Sequence, residues 1–109
     1  MPTPNTPLAC DMTALSTSQR ARYDVLRTQL GKASQEVREL PNGYGLSFAP
    51  DLEAYLAISE FVLLERRCCP FLRFNVELEP NCGPLWLRLT GPKGTKPLLR
   101  EELGVGTPK

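Results

Sequence analysis

The hydrophobic spacing of this chain changes period sharply at Pro70, and that junction constrains the fold more than any other feature. In "APDLEAYLAISEFVLLERR", Leu52, Tyr55, Leu56, Val62 and Leu63 fall on one broad helical face, with Pro50 and Asp51 suited to the first turn. The spacing predicts a helix from about Asp51 to Arg67. Beyond Pro70, Leu72, Phe74, Val76 and Leu78 alternate with Arg73, Asn75, Glu77 and Glu79, as a half-buried strand requires. Pro70 accounts for the switch. It has no N–H to donate and disfavours αR geometry at Cys69, so the helix ends at the pair Cys68-Cys69.

The remaining segments fit the same plan. Ser16 and Gln19 form a capping-box pattern, and Tyr23, Leu26 and Leu30 recur at helical spacing before Gly31, predicting a helix from about Thr17 to Leu30. Asn42-Gly43 between two short β-like runs predicts a hairpin whose two-residue loop would set Val37 against Phe48 and Glu39 against Leu46. "EPNCGP" reads as a second turn. Leu85, Leu87 and Leu89 then alternate with Trp86, Arg88 and Thr90, and a last helix is expected from about Lys96 to Leu103. Two hairpins and helices with apolar stripes satisfy one another as an α+β two-layer sandwich. Its four-stranded antiparallel sheet carries helices on one face, in the order αββαββα. Residues 1–9, rich in proline and threonine, read as a disordered tail ahead of a single domain from 10 to 109.

Charge limits the partners. Lys plus Arg number 13 against 12 Asp plus Glu, a net charge of +1, so no field gathers nucleic-acid phosphates or an anionic membrane. No basic n-region precedes an apolar run, and no stretch of about 18 apolar residues could span a bilayer, so a soluble, cytoplasmic protein is expected. Cytosolic thiols are normally reduced, which makes a disulfide scaffold unexpected for Cys10, Cys68, Cys69 and Cys82. A Cys68–Cys69 bridge would also close a small strained ring. Histidine is absent, which removes Cys-His and Ser-His catalytic pairs and Cys2His2 zinc sites.

Two adjacent thiols on a rigid turn form a chelate for a soft ion such as Cu(I), Zn(II), Hg(II) or trivalent arsenic. Cys10, where tail meets domain, is the candidate third ligand. Glu65 precedes the pair by three and four residues and would act as an outer-shell or tuning group, with Arg66 and Arg67 flanking the thiols. A plainer reading stands beside this one. Free cysteine is often a small buried hydrophobe, and a Glu-Arg-Arg run is usually a solvated helix end, although adjacent cysteines do not easily both point into one core. Cys82 lies at the far turn, roughly 30 Å along the strand. Trp86, opposite the leucines, reads as a binding platform or as a residue covered by the N-terminal segment.

The run Glu65, Arg66, Arg67, Cys68, Cys69, Pro70, Phe71, Leu72, Arg73, Phe74 resembles a family of small bacterial proteins with the pattern E-R-x-C-C-P-F-L-x-F. The likeness continues through "GPLWLRLTGPKGTKPLL" and an early Cys-x-x-Thr element, Cys10 and Thr13. Related sequences are associated with regulators and operons of mercury-type metal resistance. The resemblance implies thiophilic metal binding with Cys10, Cys68 and Cys69 as ligands.

The leading expectation is therefore a soft metal or metalloid binding domain with a thiophilic ion and no organic cofactor. The alternatives are a redox enzyme or sensor with a reactive cysteine, and an interaction module binding through Trp86, Arg88 and Arg73. A protein partner or a homo-oligomer stays open.

Overall fold

The computed structural model describes residues 8–105; residues 1–7 of the expected tail, and 106–109, lie outside the described residues. The elements are α1 (Thr17–Ala33), β1 (Glu36–Leu40), β2 (Gly43–Phe48), α2 (Leu52–Cys68), β3 (Arg73–Leu78), β4 (Leu85–Thr90) and α3 (Thr95–Leu103), with a short 3-10 turn at Met12–Ala14. All four strands pair antiparallel in the order β1-β2-β4-β3, which is the expected α+β arrangement.

Local chemistry explains most of the boundaries. Ser16 accepts from the Gln19 N–H, and the Gln19 side chain accepts from the Ser16 N–H, closing the capping box of α1. The helix continues through Gly31 to Ala33, three residues past the expected stop. Gly31 does not adopt the left-handed geometry of a C-cap, and a helical glycine costs only about 1 kcal/mol. Asp51 caps α2 by accepting from the Ala54 N–H. Cys69 leaves αR geometry at φ −126° and ψ 68°, where Pro70 was expected to end the helix.

The β1–β2 register differs from expectation by two residues. Val37 lies opposite Leu46 and Glu39 opposite Tyr44, with Leu40 paired to Gly43, so the loop is Pro41-Asn42. Neither Asn42 nor Gly43 has a positive φ; the left-handed pair sits in the other turn, at Asn81 (63°) and Cys82 (55°). Gly43 serves packing instead. A Cβ there would lie 1.8 Å from the Leu89 carbonyl oxygen of β4. Gly43→Ala is expected to cost about 3 kcal/mol or more, because backbone must move to admit the methyl group. A urea midpoint equal to the parent's would contradict this.

One sheet face builds the core. Tyr44, Leu46 and Phe48 lie opposite Leu89, Leu87 and Leu85, and meet Tyr23, Leu26 and Leu30 of α1, Ile58, Phe61 and Leu64 of α2, and Leu99 of α3. The face expected to be buried on α2 is largely the wrong one. Leu52, Tyr55, Leu56 and Leu63 are exposed and Val62 is half-buried, whereas Ala57, Ile58, Phe61, Leu64 and Cys68 turn inward. The helix has two apolar stripes, and α1 packs on the second. On β3 the alternation is as expected, but cover fades along the strand: Leu72 is buried ahead of it, and Val76 and Leu78 are exposed.

On the opposite sheet face Trp86 is only 3% exposed. The Arg38 and Arg88 guanidinium groups lie 4.5 and 5.6 Å from its ring centroid. Trp86 is thus covered by arginines of its own sheet and presents no open platform.

Candidate metal centre

Two separate stretches of the chain meet at the end of α2. The helix supplies Glu65 and Cys68, the turn set by Pro70 supplies Cys69, and the chain ahead of the 3-10 turn supplies Cys10. That last segment is anchored by the Asp11 N–H, which donates to the Cys68 carbonyl at 2.7 Å. One ligand atom from each of Cys10, Glu65, Cys68 and Cys69 lies within 4.8 Å of all the others. The three sulfurs therefore converge. Cys82 is exposed at the β3–β4 turn and takes no part.

Cys10 and Cys69 are joined by a disulfide across 59 residues, with Cα atoms 4.6 Å apart, while Cys68 is a free thiol. This corrects the expectation that the cysteines are all thiols. Ring strain disfavours only a bond within the adjacent pair, and nothing local announces that the 10–11 segment crosses to the end of α2. Cys68 and Cys69 are also both fully buried, although adjacent cysteines were not expected to point easily into one core. Cys68 points inward as the last residue of α2, and the non-helical backbone of Cys69 turns the next side chain inward as well.

Glu65 is the second correction, because it is fully buried rather than part of a solvated helix end. The Tyr23 hydroxyl donates to it, 3.2 Å from both carboxylate oxygens, and the Cys68 thiol lies 3.5 Å from Oε1. The Cys69 sulfur sits 3.1 Å from the same oxygen; in the disulfide it has no hydrogen to donate, and on reduction its thiol can donate there. Tyr23 is held by stacking on Phe61, centroids 5.6 Å apart. Helical spacing alone puts Glu65 three and four residues from the cysteines. Its burial follows from Tyr23 and Phe61, a long-range contact.

Arg66 and Arg67 are exposed and make no described ion pair or hydrogen bond with the cluster. Burial, with the neighbouring Glu65 carboxylate adding to it, pushes the Cys68 thiol up to about 12. Burial likewise lifts Glu65 to about 7, helped by Glu102 and opposed by hydrogen bonds from Cys68 and Tyr23 and by Arg27. Tyr23 also moves upward, mainly through burial. The cluster resists negative charge.

A pH dependence follows. The folded chain keeps a proton on Glu65 that the unfolded chain releases above its ordinary value of 4.5, so this contribution is full below about pH 4.5 and is lost as pH rises to about 7. At 1.36 kcal/mol per unit the loss is about 3 kcal/mol. Glu65→Gln keeps the shape without the charge and should gain stability over the parent by about that much at pH 8 but little at pH 4. Urea midpoints of both proteins at the two pH values check this, and a difference independent of pH would contradict it.

Comparison with known protein families, with curated proteins and with solved structures finds no match to this chain. Among the described residues no helix is long and apolar enough to cross a membrane.

Proposed function

We propose that the reduced protein binds a soft metal or metalloid ion through the thiolates of Cys10, Cys68 and Cys69, with Glu65 as the adjoining outer-shell group. One observation carries this reading: the three sulfurs and the Glu65 carboxylate converge within 4.8 Å although Cys10 lies 59 residues from Cys69 along the chain. Sulfur ligands select soft ions. Burial narrows the choice further, because leaving uncompensated charge in an apolar interior is costly. Three thiolates on trivalent arsenic carry no net charge, whereas three on Zn(II) or Hg(II) leave one negative charge. Trivalent arsenic is therefore favoured over the divalent ions, in a role of resistance, sensing or trafficking. The E-R-x-C-C-P-F-L-x-F resemblance supports the same chemistry.

Titration of the reduced protein with arsenite, Hg(II), Cu(I) and Zn(II), followed by thiolate-to-ion charge-transfer absorption, tests the proposal. The Cys68→Ser, Cys69→Ser double variant should lose the signal. Binding as tight as the parent's would refute it.

The Cys10–Cys69 bond favours a second reading, a thiol redox sensor. Against it stands the elevated Cys68 thiol, since thiolate is the attacking form. Slow alkylation of Cys68 at pH 7, rising only in strong alkali, would set that reading aside; fast alkylation at pH 7 would favour it.

A further inference from the structure

We propose that two copies of this chain join through the outer edge of β3, extending the sheet across a two-fold axis and closing an apolar strip between β3 and α2. The strand order leaves β3 at an edge, and no described backbone bond from another segment reaches that side. An open edge is a ready template for another strand. Beside it lies uncovered apolar surface. Of the eight exposed large hydrophobic residues among those described, six lie on α2 and β3: Leu52, Tyr55, Leu56, Leu63, Val76 and Leu78. Two hollows lie between α2 and β3, one with Leu52 and Tyr55 beside Leu78, the other with Val62 and Arg66 beside Leu72 and Phe74.

The sequence of β3 identifies the occupant as a second copy. In an antiparallel alignment centred on Asn75, Arg73 meets Glu77 of the other copy, and Glu77 meets its Arg73. The same register sets Phe74 against Val76 and Leu72 against Leu78. Charges therefore fall opposite charges on one face, and apolar residues opposite apolar residues on the other. Such self-complementarity is what a two-fold interface requires. Arg73 has no described ion pair within its own chain, so its guanidinium is available to share Glu77 of the other copy, whose carboxylate also pairs with Arg88 of its own sheet at 2.9 Å. The axis also lays α2 antiparallel to its copy on the helical side of the sheet. Leu56 meets Leu63 of the other copy there, and Glu53 approaches its Arg66.

Sedimentation velocity over a concentration series tests the interface on the full chain. The parent should dimerise, and Val76→Lys should be monomeric with an unchanged circular dichroism spectrum. Arg73→Glu and Glu77→Lys each place like charges opposite one another twice and should weaken self-association about tenfold. Mixed together, these two variants restore both opposite-charge pairs, so heterodimers should form in preference to either homodimer; this comparison holds even if Val76→Lys fails to fold. A parent that is monomeric throughout would overturn the proposal. So would a dimer indifferent to Val76→Lys, random mixing of the charge variants, or a chain that dimerises only after residues 1–7 are removed, which would give the strip to the chain's own start.

Discussion

Reducing the Cys10–Cys69 disulfide is expected to lower the melting temperature by roughly 15–30 °C. The bond closes a loop of 59 residues that contains α1, the first hairpin and α2. On the chain-entropy account, releasing a loop of that length returns about 4 kcal/mol of disorder to the unfolded state. For a domain of this size each kcal/mol moves the midpoint by about 4–8 °C. Nothing else holds the entering segment as firmly. Its described backbone link to α2 is the bond from the Asp11 N–H to Cys68, and Cys10 itself is only partly buried. Thermal melts with and without a thiol reductant check the effect. Cys10→Ser should melt like the reduced parent under both conditions, and Cys82→Ser like the parent, because Cys82 is an exposed free thiol. A parent whose midpoint does not move on reduction would contradict the account.

An ion that bridges Cys10 to the Cys68-Cys69 turn closes the same loop. Adding arsenite to the reduced protein is therefore expected to recover most of the lost stability. Ligand present at a thousandfold excess over its dissociation constant contributes about 4.1 kcal/mol, close to what the disulfide supplies. Bond and ion are alternative staples on one set of atoms, and they exclude each other. In the oxidised chain only Cys68 retains a thiol at the centre, so oxidised protein should bind no ion there. Losing an outer partner of a metal ligand typically weakens binding 10–100-fold, so losing the Cys10 sulfur itself should weaken it by more than about 100-fold. Isothermal titration of the parent and of Cys10→Ser, both reduced, makes the comparison. Equal affinities would remove Cys10 from the site.

Much of the fold is legible along the chain because the signals are local. Pro70 ends a helix by sterics at Cys69, Ser16 and Gln19 cap one by their own hydrogen bonds, and alternation marks 72–78 and 85–89 as strands whatever packs on them. Failures begin where two elements must choose each other. Asn42-Gly43 carries a hairpin signal, but Gly43 is needed where β2 passes the Leu89 carbonyl, and the loop moves one residue earlier. On α2, Leu52, Leu56 and Leu63 are as apolar as Ile58, Phe61 and Leu64; which stripe faces inward depends on the placement of α1 and the sheet.

The candidate site divides along the same line. Cys68-Cys69 before a proline, and Cys10 as the sulfur that could be laid over them, can be named from residue type and position. The burial of Glu65 beneath Tyr23, and the bond between Cys10 and Cys69, depend on partners 42 and 59 residues away. Arg66 and Arg67 flank the thiols in sequence yet face solvent, because neighbours along a helix point about 100° apart.

The most direct measurement is a titration of arsenite into the protein in its two redox states, read by thiolate-to-arsenic absorption. The account predicts saturation at one equivalent when the chain is reduced, no signal when Cys10 and Cys69 are bonded, and no signal from reduced Cys68→Ser, Cys69→Ser. Equal binding by the oxidised and reduced chains, or by the double variant and the parent, would contradict it.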